Sequence, residues 1–351
     1  MWISHPCRAL NPSGGLGQYG PVSPAPVLVP VLVDTDPGID DALALILALR
    51  SPEWRVEAVT TVAGNVPVEV GTRNVARILG VVQPSPAPCV AVGATGPRAG
   101  PPVTATHVHG DDGLGGTSRL RRADGSPWFP EAPLRLHEAD AADLIVHSAR
   151  RWPGALVVVA LGPLTNLAAA IDRDEAALRG VRAVVVMGGA VAVGGNVTPV
   201  AEYNVFADPE SAARVLAAGL PLTLVPLDVT CEVAWSAQAV ERLSRATGRV
   251  AQFALAVARA GLGLLAPLGE PALTLHDPLA VGVALDPSLV EADSLPVAVE
   301  VGGVHTRGMT VVDRRSERSG RAAWPRCRVA RRVDAARFLR LFEERLWPGS
   351  A

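Results

Sequence analysis

Residues 27–50 read VLVPVLVDTDPGIDDALALILALR: an apolar run, a short acidic segment and a second apolar run. The first run, Val27–Val33, is rich in valine and has the length of a strand. The second, Asp40–Arg50, reads as a helix that begins with two aspartates. Because the strand is continuously apolar rather than alternating, we expect both of its faces to be covered, as in a parallel sheet with helices on either side.

The same alternation of strand and helix continues along the chain. It predicts an α/β fold: a single doubly wound, Rossmann-like domain over residues 27–346, with a central, mostly parallel sheet and helices on both faces. The further strands are predicted at Val56–Val62, Ala155–Ala160, Ala183–Val186 and Leu222–Pro226, and the further helices at Val68–Leu79, Asn166–Ile171 and Ala207–Ala218.

Three segments depart from this alternation. Residues 1–26 are rich in Gly, Pro and Ser and have no apolar period, which predicts a flexible tail. Residues 97–135 are too long and too rich in Gly and Pro for a simple connection, which favours an active-site cover or a disordered loop. Residues 232–272 look helical and end in the segment GLGLLAPLGEPA.

The composition excludes several functional classes. The formal net charge is −2, so the chain lacks the basic field that attracts nucleic acid. Lysine does not occur, which excludes a catalytic lysine. The four cysteines lie far apart and predict neither a disulfide framework nor a zinc site. With no signal-peptide pattern and no apolar run of membrane length, we expect a soluble, globular, cytoplasmic protein.

Four carboxylates lie within the eight residues Asp34–Asp41, where the first strand ends and the helix begins. The carboxyl ends of the strands are where open α/β sheets bind their ligands. Two like charges about 4 Å apart repel by roughly 4 kcal/mol at an effective dielectric of 20, so several such pairs would rival the stability of a whole domain. The segment therefore predicts a bound cation, and its oxygen ligands indicate Ca²⁺ or Mg²⁺.

Two other interpretations of the acidic segment can be tested on the sequence. An EF-hand loop that began at Asp34 would need a glutamate at its twelfth position, which is Leu45, so this interpretation fails. A buried strand that ends in Asp-x-Asp also suggests a metal-dependent phosphatase, with Asp34 as nucleophile and Asp36 as acid. This alternative is weaker, because such enzymes commonly place a later lysine on the phosphate and the chain has none.

Further polar residues follow the later strands. The segment GNVTPVAEYN holds Asn196, Glu202 and Asn204, whose amide and carboxylate groups suit the recognition of hydroxyls. His276 precedes an aspartate in LTLHDPLAV, and in a protein that already needs a cation this pair favours a functional histidine. His109, in HVHGDDGLGG, is interpreted as part of a lid rather than as a metal ligand.

A set of motifs in chain order gives the sequence a family likeness: DTDPGIDDALAL, TTVAGN, HGDDGLGG, LGPLTN, MGG, GNVTPVAEYN, DPE and HDPLAV. The chain resembles the inosine-uridine preferring nucleoside hydrolases from about Val31 to the segment TRGMTVVDRR at 306–315. The combination of DxDPGxDD, AE[FY]N and HDP is highly specific. The resemblance implies an enzyme that hydrolyses the N-glycosidic bond of ribonucleosides to ribose and free base.

The resemblance also implies roles for the matching residues. One Ca²⁺ per chain would be held by four groups: the side chains of Asp36, Asp41 and Asp277 and the backbone carbonyl of Leu161. Asp34 would support this metal site. Asp36 would also act as the base on a calcium-bound water, and His276 would help to protonate the base as it leaves. The residues expected near the substrate are Asp40, Asn65, His109, Met187, Asn196, Glu202, Tyr203 and Asn204.

The resemblance also implies a substrate preference and an oligomeric state. His276 stands where purine-specific members carry an aromatic residue, so the chain resembles members with a broad or inosine/uridine preference. Tyr203 replaces a common phenylalanine, which should preserve the ring and add a hydrogen bond. Family members are commonly dimers or tetramers, so we expect a homodimer or homotetramer. A catalytically silent nucleoside- or ribose-binding protein is the alternative, although Asp36 and His276, which such a protein could lose, are both present.

Overall fold

The apolar run before the acidic segment forms strand β1 (Val29–Thr35) in the computed structural model, which describes residues 28–269, 272–315 and 324–347. The side chains of Val31 and Val33 lie in one apolar layer, and that of Leu32 lies in the other. A strand alternates its side chains between two faces, so a continuous apolar run fits a strand that is covered on both. The predicted flexible tail, residues 1–26, lies outside the described residues.

The strands of the described residues are β1, β2 (Trp54–Thr61), β3 (Cys89–Val92), β4 (Arg135–Leu136), β5 (Val157–Ala160), β6 (Ala183–Met187), β7 (Leu222–Val225), β8 (Ala234–Ser236), β9 (Ala272–Thr274), β10 (Val290–Val299), β11 (Thr310–Val312) and β12 (Arg326–Val333). Ten of these described strands form one sheet in the order β11-β10-β12-β7-β6-β5-β1-β2-β3-β4. The sheet is parallel from β4 to β12, and β10 runs antiparallel to both of its neighbours. The predicted mostly parallel sheet is confirmed.

The helices of the described residues are α1 (Ile39–Leu49), α2 (Val68–Val82), α3 (Thr106–His109), α4 (Ala141–Arg151), α5 (Thr165–Arg179), α6 (Tyr203–Ala207), α7 (Pro209–Ala217), α8 (Leu227–Thr230), α9 (Ala237–Arg242), α10 (Arg249–Leu265), α11 (His276–Leu285) and α12 (Ala335–Leu346). One apolar layer contains residues of β1, α1, α2, α10, α11 and α12, and the other contains residues of β1, α4, α5 and α7. No helix in the described ranges combines the length and the hydropathy needed to cross a membrane.

The position of β1 in the sheet creates a crevice. β1 pairs with β2 on one side and with β5 on the other. The chain therefore builds the sheet outwards from β1 to β4 and then returns to its other side with β5. The loops after β1 and β5 diverge at this reversal, and open α/β sheets bind ligands at such a point. The acidic segment begins with the last two residues of β1, and LGPLTN follows β5.

Residues 232–272 are less helical than their sequence suggests. They contain α9 and α10, but they begin with β8 and end at β9, and these two short strands pair antiparallel. The C-terminal strands were also not predicted. In β12, Cys327 and Val329 are buried whereas Arg326 and Arg328 are exposed, which is the alternation of a strand with one solvated face. A three-residue strand or an arginine-rich strand carries little of the apolar signal that marks β1.

Two glycines within helices provide a test of the packing around α11. A Cβ atom on Gly282 would lie 2.6 Å from the ring of Phe338 on α12, whereas one on Gly263 of α10 would contact nothing within 4 Å. We expect Gly282→Ala to lower the free energy of unfolding by about 1–3 kcal/mol through overpacking. Gly263→Ala should raise it by up to about 1 kcal/mol through helix propensity. Chemical denaturation measures both, and equal effects would contradict the described packing of α11 on α12.

Candidate functional site

Asp34, near the end of β1, is completely buried and joins three elements. Its Oδ1 accepts hydrogen bonds from Thr60 Oγ1 on β2 (2.6 Å) and from Asn166 Nδ2 on α5 (2.8 Å). Burial raises the pKa of Asp34 to about 6, and these two hydrogen bonds oppose the rise. Asp34 therefore ties the end of β1 to β2 and α5, which both border the crevice.

Asp36 lies between the loops that follow β2 and β5. A Cβ atom on Gly64 would overlap its Oδ2, and one on Gly162 would lie 2.5 Å from its Oδ1, so glycine at both positions leaves room for the carboxylate. Oδ2 accepts a hydrogen bond from the backbone N of Asn65 (2.7 Å). Oδ1 is buried and has no hydrogen-bond partner among the described residues. Burial raises the pKa of Asp36 well above its usual value, and the Asp41 carboxylate raises it further.

Asp41, in the first turn of α1, reaches back to the loop before its own helix. Its Oδ1 accepts from Thr35 Oγ1 (2.5 Å), and its Oδ2 accepts from the backbone N of Gly38 (2.9 Å). Asn65 Nδ2 also donates to this Oδ2 (3.0 Å). A carboxylate in the first turn stabilises the positive end of a helix. These donors fix the orientation of Asp41.

Asp277, in the first turn of α11, brings a further carboxylate to the same place. Side-chain oxygens of Asp40, Asp41 and Asp277 all lie within 4.8 Å of one another. Burial raises the pKa of Asp277 well above its usual value, and the carboxylates of Asp40 and Asp41 raise it further. We call Asp36, Asp40, Asp41 and Asp277 the carboxylate cluster.

The carboxylate cluster has the properties of a site for a hard divalent cation. Its members are buried, their pKa values are raised, and Asp36 Oδ1 has no hydrogen-bond partner among the residues described. The carbonyl of Leu161, after β5, accepts from Asn204 Nδ2 (2.6 Å) and retains a second lone pair. The atoms that could bind a metal ion here are all oxygens, and Ca²⁺ and Mg²⁺ prefer oxygen ligands. The residues present therefore fit such an ion.

Across the cleft, Glu202 organises the loop before α6. Its carboxylate accepts hydrogen bonds from the backbone N atoms of Gly189 (2.8 Å), Asn204 (2.8 Å) and Val205 (3.1 Å). This side chain therefore caps α6 and also holds the loop after β6. Burial raises the pKa of Glu202, and these three hydrogen bonds oppose the rise.

Two amide side chains flank Glu202. Asn204 Nδ2 donates to the carbonyl of Leu161 and lies 3.3 Å from that of Met187, so it joins the loops after β5 and β6. Asn196 Oδ1 accepts from the backbone N of Tyr203 (2.9 Å), which leaves the Asn196 amide nitrogen to donate elsewhere. Amide and carboxylate groups thus face one side of the cleft.

The long segment 97–135 covers the acidic segment. Within it, Nδ1 of His109 accepts a hydrogen bond from the backbone N of Ile39 at the start of α1 (3.0 Å). Burial lowers the pKa of His109 to about 4, so at neutral pH its ring is neutral, with the proton on Nε2. Tyr203 Oη donates to the carbonyl of Val103 (3.0 Å), which is the additional hydrogen bond expected from this tyrosine. Residues 97–135, which we call the lid, are therefore hydrogen-bonded to both walls of the cleft.

His276, the first residue of α11, is partly buried beside the carboxylate cluster. Its Nδ1 lies 2.7 Å from Thr230 Oγ1 at the end of α8. Burial lowers the pKa of His276, and the Asp40 carboxylate opposes that shift. The imidazole is thus held between a hydroxyl and an acidic group.

A cleft of about 550 Å³ lies between these walls. Most of the predicted site residues line it: Asp40, Asn65, His109, Leu161, Met187, Asn196, Glu202, Tyr203, Asn204, His276 and Asp277. The others, Asp34, Asp36 and Asp41, are completely buried behind this lining. Apolar side chains, including Val108, Leu265 and Leu273, complete one part of the wall.

Sequence reasoning missed residues that hold the site together from outside it. Asn74 on α2 donates from Nδ2 to the carbonyls of Pro37 (3.1 Å) and Asp112 (2.7 Å), and so joins the acidic segment to the lid. Thr230 contacts His276 from a helix of four residues. Neither position belongs to a pattern with a chemical meaning of its own. Asn166 was visible in LGPLTN, but not its bond to Asp34.

Comparisons with known proteins agree with this geometry. A family model described as inosine-uridine preferring nucleoside hydrolase matches residues 31–340. The chain is 36% identical over 324 residues to the pyrimidine-specific ribonucleoside hydrolase RihA of Citrobacter koseri, covering 91% of this chain and 98% of that protein. Among solved structures, the plant nucleoside hydrolase PpNRh1 has a TM-score of 0.82 at 32% identity, with 91% and 99% of the two chains covered. The purine-preferring ribonucleoside hydrolase from Gardnerella vaginalis also has a TM-score of 0.82, at 30% identity, with 90% and 98% covered.

The raised pKa values predict how stability depends on pH when divalent cations are chelated. The folded pKa of Asp36 lies well above the ordinary value of 3.8, so the unfolded chain releases this proton first and stability falls as pH rises through that window. Asparagine carries no charge to bury. We therefore expect Asp36→Asn to gain stability relative to the wild type as pH rises from about 4 to about 7 in chelator. Thermal and urea unfolding measure this difference.

Asp124→Asn is the control, because Asp124 is exposed and a hydrogen bond from Ser126 lowers its pKa. Its stability difference from the wild type should stay constant above about pH 4. Millimolar Ca²⁺ should stabilise the wild type more than Asp36→Asn. An Asp36→Asn protein that loses stability relative to the wild type as pH rises in chelator would contradict the description of the carboxylate cluster.

Proposed function

This chain belongs to the inosine-uridine preferring nucleoside hydrolase family, and from that premise we propose that it uses one bound Ca²⁺ to hydrolyse ribonucleosides to ribose and free base. The observation that carries the proposal is the carboxylate cluster, which borders a cleft that also presents hydroxyl-binding side chains and a histidine. We assign the activity to a single domain, residues 27–346. Its named relatives are ribonucleoside hydrolases, so the reaction class is hydrolysis of an N-glycosyl bond.

The proposed calcium ligands are the side chains of Asp36, Asp41 and Asp277 and the carbonyl of Leu161. When bound, the ion would offset part of the negative charge of the carboxylates, lower the pKa of water and supply a Lewis acid for the ribose hydroxyls. Asp40 belongs to the same cluster, and its carboxylate also lines the cleft. We assign Asp40 to a ribose hydroxyl.

Asp36 is the proposed general base. The hydrogen-bond geometry supports this choice, because both carboxylate oxygens of Asp41 already accept from donors whereas Asp36 Oδ1 has no partner within the described ranges. An unpartnered carboxylate oxygen next to the cleft can accept the proton that water loses as it attacks the sugar. Asp34 Oδ2 is also buried without a partner among the described residues, but Asp34 Oδ1 holds β1 to β2 and α5, so we assign Asp34 a supporting role.

The opposite wall of the cleft is the proposed ribose site. Asn196, Glu202 and Asn204 on this wall, together with Asn65 beside the carboxylate cluster, offer donors and acceptors that match a sugar with several hydroxyls. Hydrogen bonds from backbone amides fix the Glu202 carboxylate before any substrate binds, so this wall is preorganised. Met187 gives the sugar an apolar contact.

Cleavage of the N-glycosidic bond passes through an oxocarbenium-like state, in which positive charge develops on the sugar. The nearby carboxylates stabilise that charge, and the lid anchored by His109 and Tyr203 excludes bulk water. His276 lines the same cleft and is the proposed general acid for the departing base. With apolar residues beside it and no aromatic residue at its own position, we propose that both inosine and uridine are accepted.

The proposal predicts ribose release that depends on a divalent cation. Inosine, adenosine, guanosine, uridine and cytidine are each incubated with the enzyme, with and without prior removal of calcium, and ribose is measured as reducing sugar. We expect release from inosine and uridine, loss of release after chelation, and recovery on addition of Ca²⁺. Asp36→Asn should reduce kcat by about 10²- to 10⁴-fold, the usual contribution of a general base.

No release from any nucleoside, together with intact nucleoside binding, would instead support the silent binding protein. Release that is unchanged in chelator would overturn the role of the cation. Phosphate release from a generic phosphate ester, without ribose release, would favour the metal-dependent phosphatase.

The proposed general acid predicts a dependence on the leaving group. His276→Ala should lower kcat for inosine by about 10²-fold or more, because the departing hypoxanthine needs a proton. The same variant should retain most of its activity on p-nitrophenyl riboside, whose leaving group departs without one. Steady-state kinetics on both substrates give the comparison. Equal losses on the two substrates would mean that His276 positions the substrate rather than protonates the base.

A further inference from the structure

The segment that follows β7 holds His276 from two directions. Thr230, at the end of α8, is completely buried, and its Oγ1 lies 2.7 Å from Nδ1 of the His276 ring. Three residues later, the carbonyl of Val233 accepts from the backbone N of Leu275, the residue before His276 (3.0 Å). Both the ring and the backbone at the start of α11 are therefore fixed to one turn.

Thr230 itself has little freedom. Its backbone N donates to the carbonyl of Pro226 (3.1 Å), and its own carbonyl accepts from the backbone N of Val233 (3.0 Å). Beyond this turn, β8 pairs with β9, which leads directly to α11. A hydroxyl on such a support selects one orientation of the imidazole, and a reacting group held in one orientation is more effective than a mobile one.

The contact also determines which ring nitrogen can exchange a proton with a ligand. Because Nδ1 faces Thr230, Nε2 is the nitrogen left for the cleft. A histidine that gives up a proton from Nε2 keeps its remaining proton on Nδ1. That proton needs an acceptor, and the lone pairs of the Thr230 hydroxyl provide one at hydrogen-bond distance.

We propose that Thr230 is a positioning residue for base departure: its hydroxyl accepts a hydrogen bond from Nδ1–H of His276 and so presents Nε2 to the leaving base. The inference rests on the proposed function. As the C1′–N bond breaks, its electron pair goes to the base nitrogen, which takes the proton from Nε2. A water oxygen bonds to C1′, and the proton that it loses goes to Asp36. Nucleoside and water thus become ribose and free base.

The test compares two substitutions at one position on two substrates. Thr230→Val keeps the shape of the side chain and removes its hydroxyl, whereas Thr230→Ser keeps the hydroxyl. We expect Thr230→Val to lower kcat for inosine by about 10- to 100-fold and to leave KM within about twofold of the wild type. The loss in kcat is smaller than the loss expected on removal of the general acid itself, because the imidazole is still present. On p-nitrophenyl riboside its kcat should stay within about threefold of the wild type, and Thr230→Ser should recover most of the inosine activity.

Asp228, in the same short helix, offers a matched control. Its carboxylate accepts from the backbone N atoms of Val191 and Ala192 (both 2.8 Å), in the loop that leads to Asn196. Asp228→Ala should therefore disturb the sugar wall and affect the two substrates equally. Of these two variants, only Thr230→Val should change the ratio of the kcat value on inosine to that on p-nitrophenyl riboside.

The outcomes separate this inference from the proposed function. If the wild type releases ribose from neither substrate, the proposed function fails. If the wild type cleaves both and Thr230→Val leaves the ratio of kcat values unchanged, or lowers both equally, Thr230 has no positioning role for base departure. The same conclusion follows if Thr230→Ser fails to recover inosine cleavage while its fold is intact.

A spectroscopic measurement on the wild-type protein needs no substitution at Thr230. It therefore tests the proposal even if the Thr230→Val variant does not fold. In wild-type protein labelled with ¹⁵N-histidine, the His276 ring is assigned as the signal that is lost in His276→Gln. We expect its neutral form to carry the proton on Nδ1, with Nε2 unprotonated. A neutral His276 ring that carries its proton on Nε2 would overturn the proposed direction of the Thr230 hydrogen bond.

Discussion

The burial of five carboxylates at one edge of the sheet is the constraint on which the rest of the site depends. Asp34, Asp36, Asp40, Asp41 and Asp277 are all buried, and the pKa of each is raised, chiefly by desolvation. A buried carboxylate is costly unless donors or a cation compensate it. Backbone and side-chain donors compensate part of these oxygens. Asp40, Asp41 and Asp277 lie close enough together to share a metal ion, which is the other kind of compensation.

The sheet topology makes this concentration of charge possible. Because the strand order reverses at β1, the loops after β1, β2 and β5 meet at one point, and glycines in two of these loops let Asp36 fit between them. Asp277 is added by α11, whose first turn also carries His276. The proposed acid, base and sugar-binding groups thus come from different elements around one sheet, and an arrangement of this kind can preorganise a site.

The lid adds a second layer of support. His109 of the lid accepts a hydrogen bond from the start of α1, and Tyr203 donates one to the lid. Asn74 donates to both the lid and the acidic segment and so joins them. Closing a cleft in this way strengthens the electrostatic interactions inside it, because water is excluded. The residues that shape the site are consequently more numerous than those that would touch a substrate.

Much of this arrangement could be predicted from the sequence, because a parallel sheet leaves a strong local signal. The valine run of β1 predicts a strand covered on both faces, and the acidic segment after it predicts a charged site at the crevice. Long-range contacts leave no such signal: Thr230 and His276 are 46 positions apart, and nothing around Thr230 marks it. The short strands β8 and β9 were missed for a related reason, since three residues are too few to establish a period.

Direct measurement of calcium binding tests the central claim, that the buried carboxylates require a cation. Equilibrium dialysis with ⁴⁵Ca²⁺ gives the number of ions per chain for the wild type, for Asp277→Asn and for Asp286→Asn, which alters the half-buried aspartate at the other end of α11. We predict one ion per chain in the wild type and in Asp286→Asn, and loss of that ion in Asp277→Asn. A wild-type protein that binds no ion at millimolar Ca²⁺, yet releases ribose in chelator, would contradict the account.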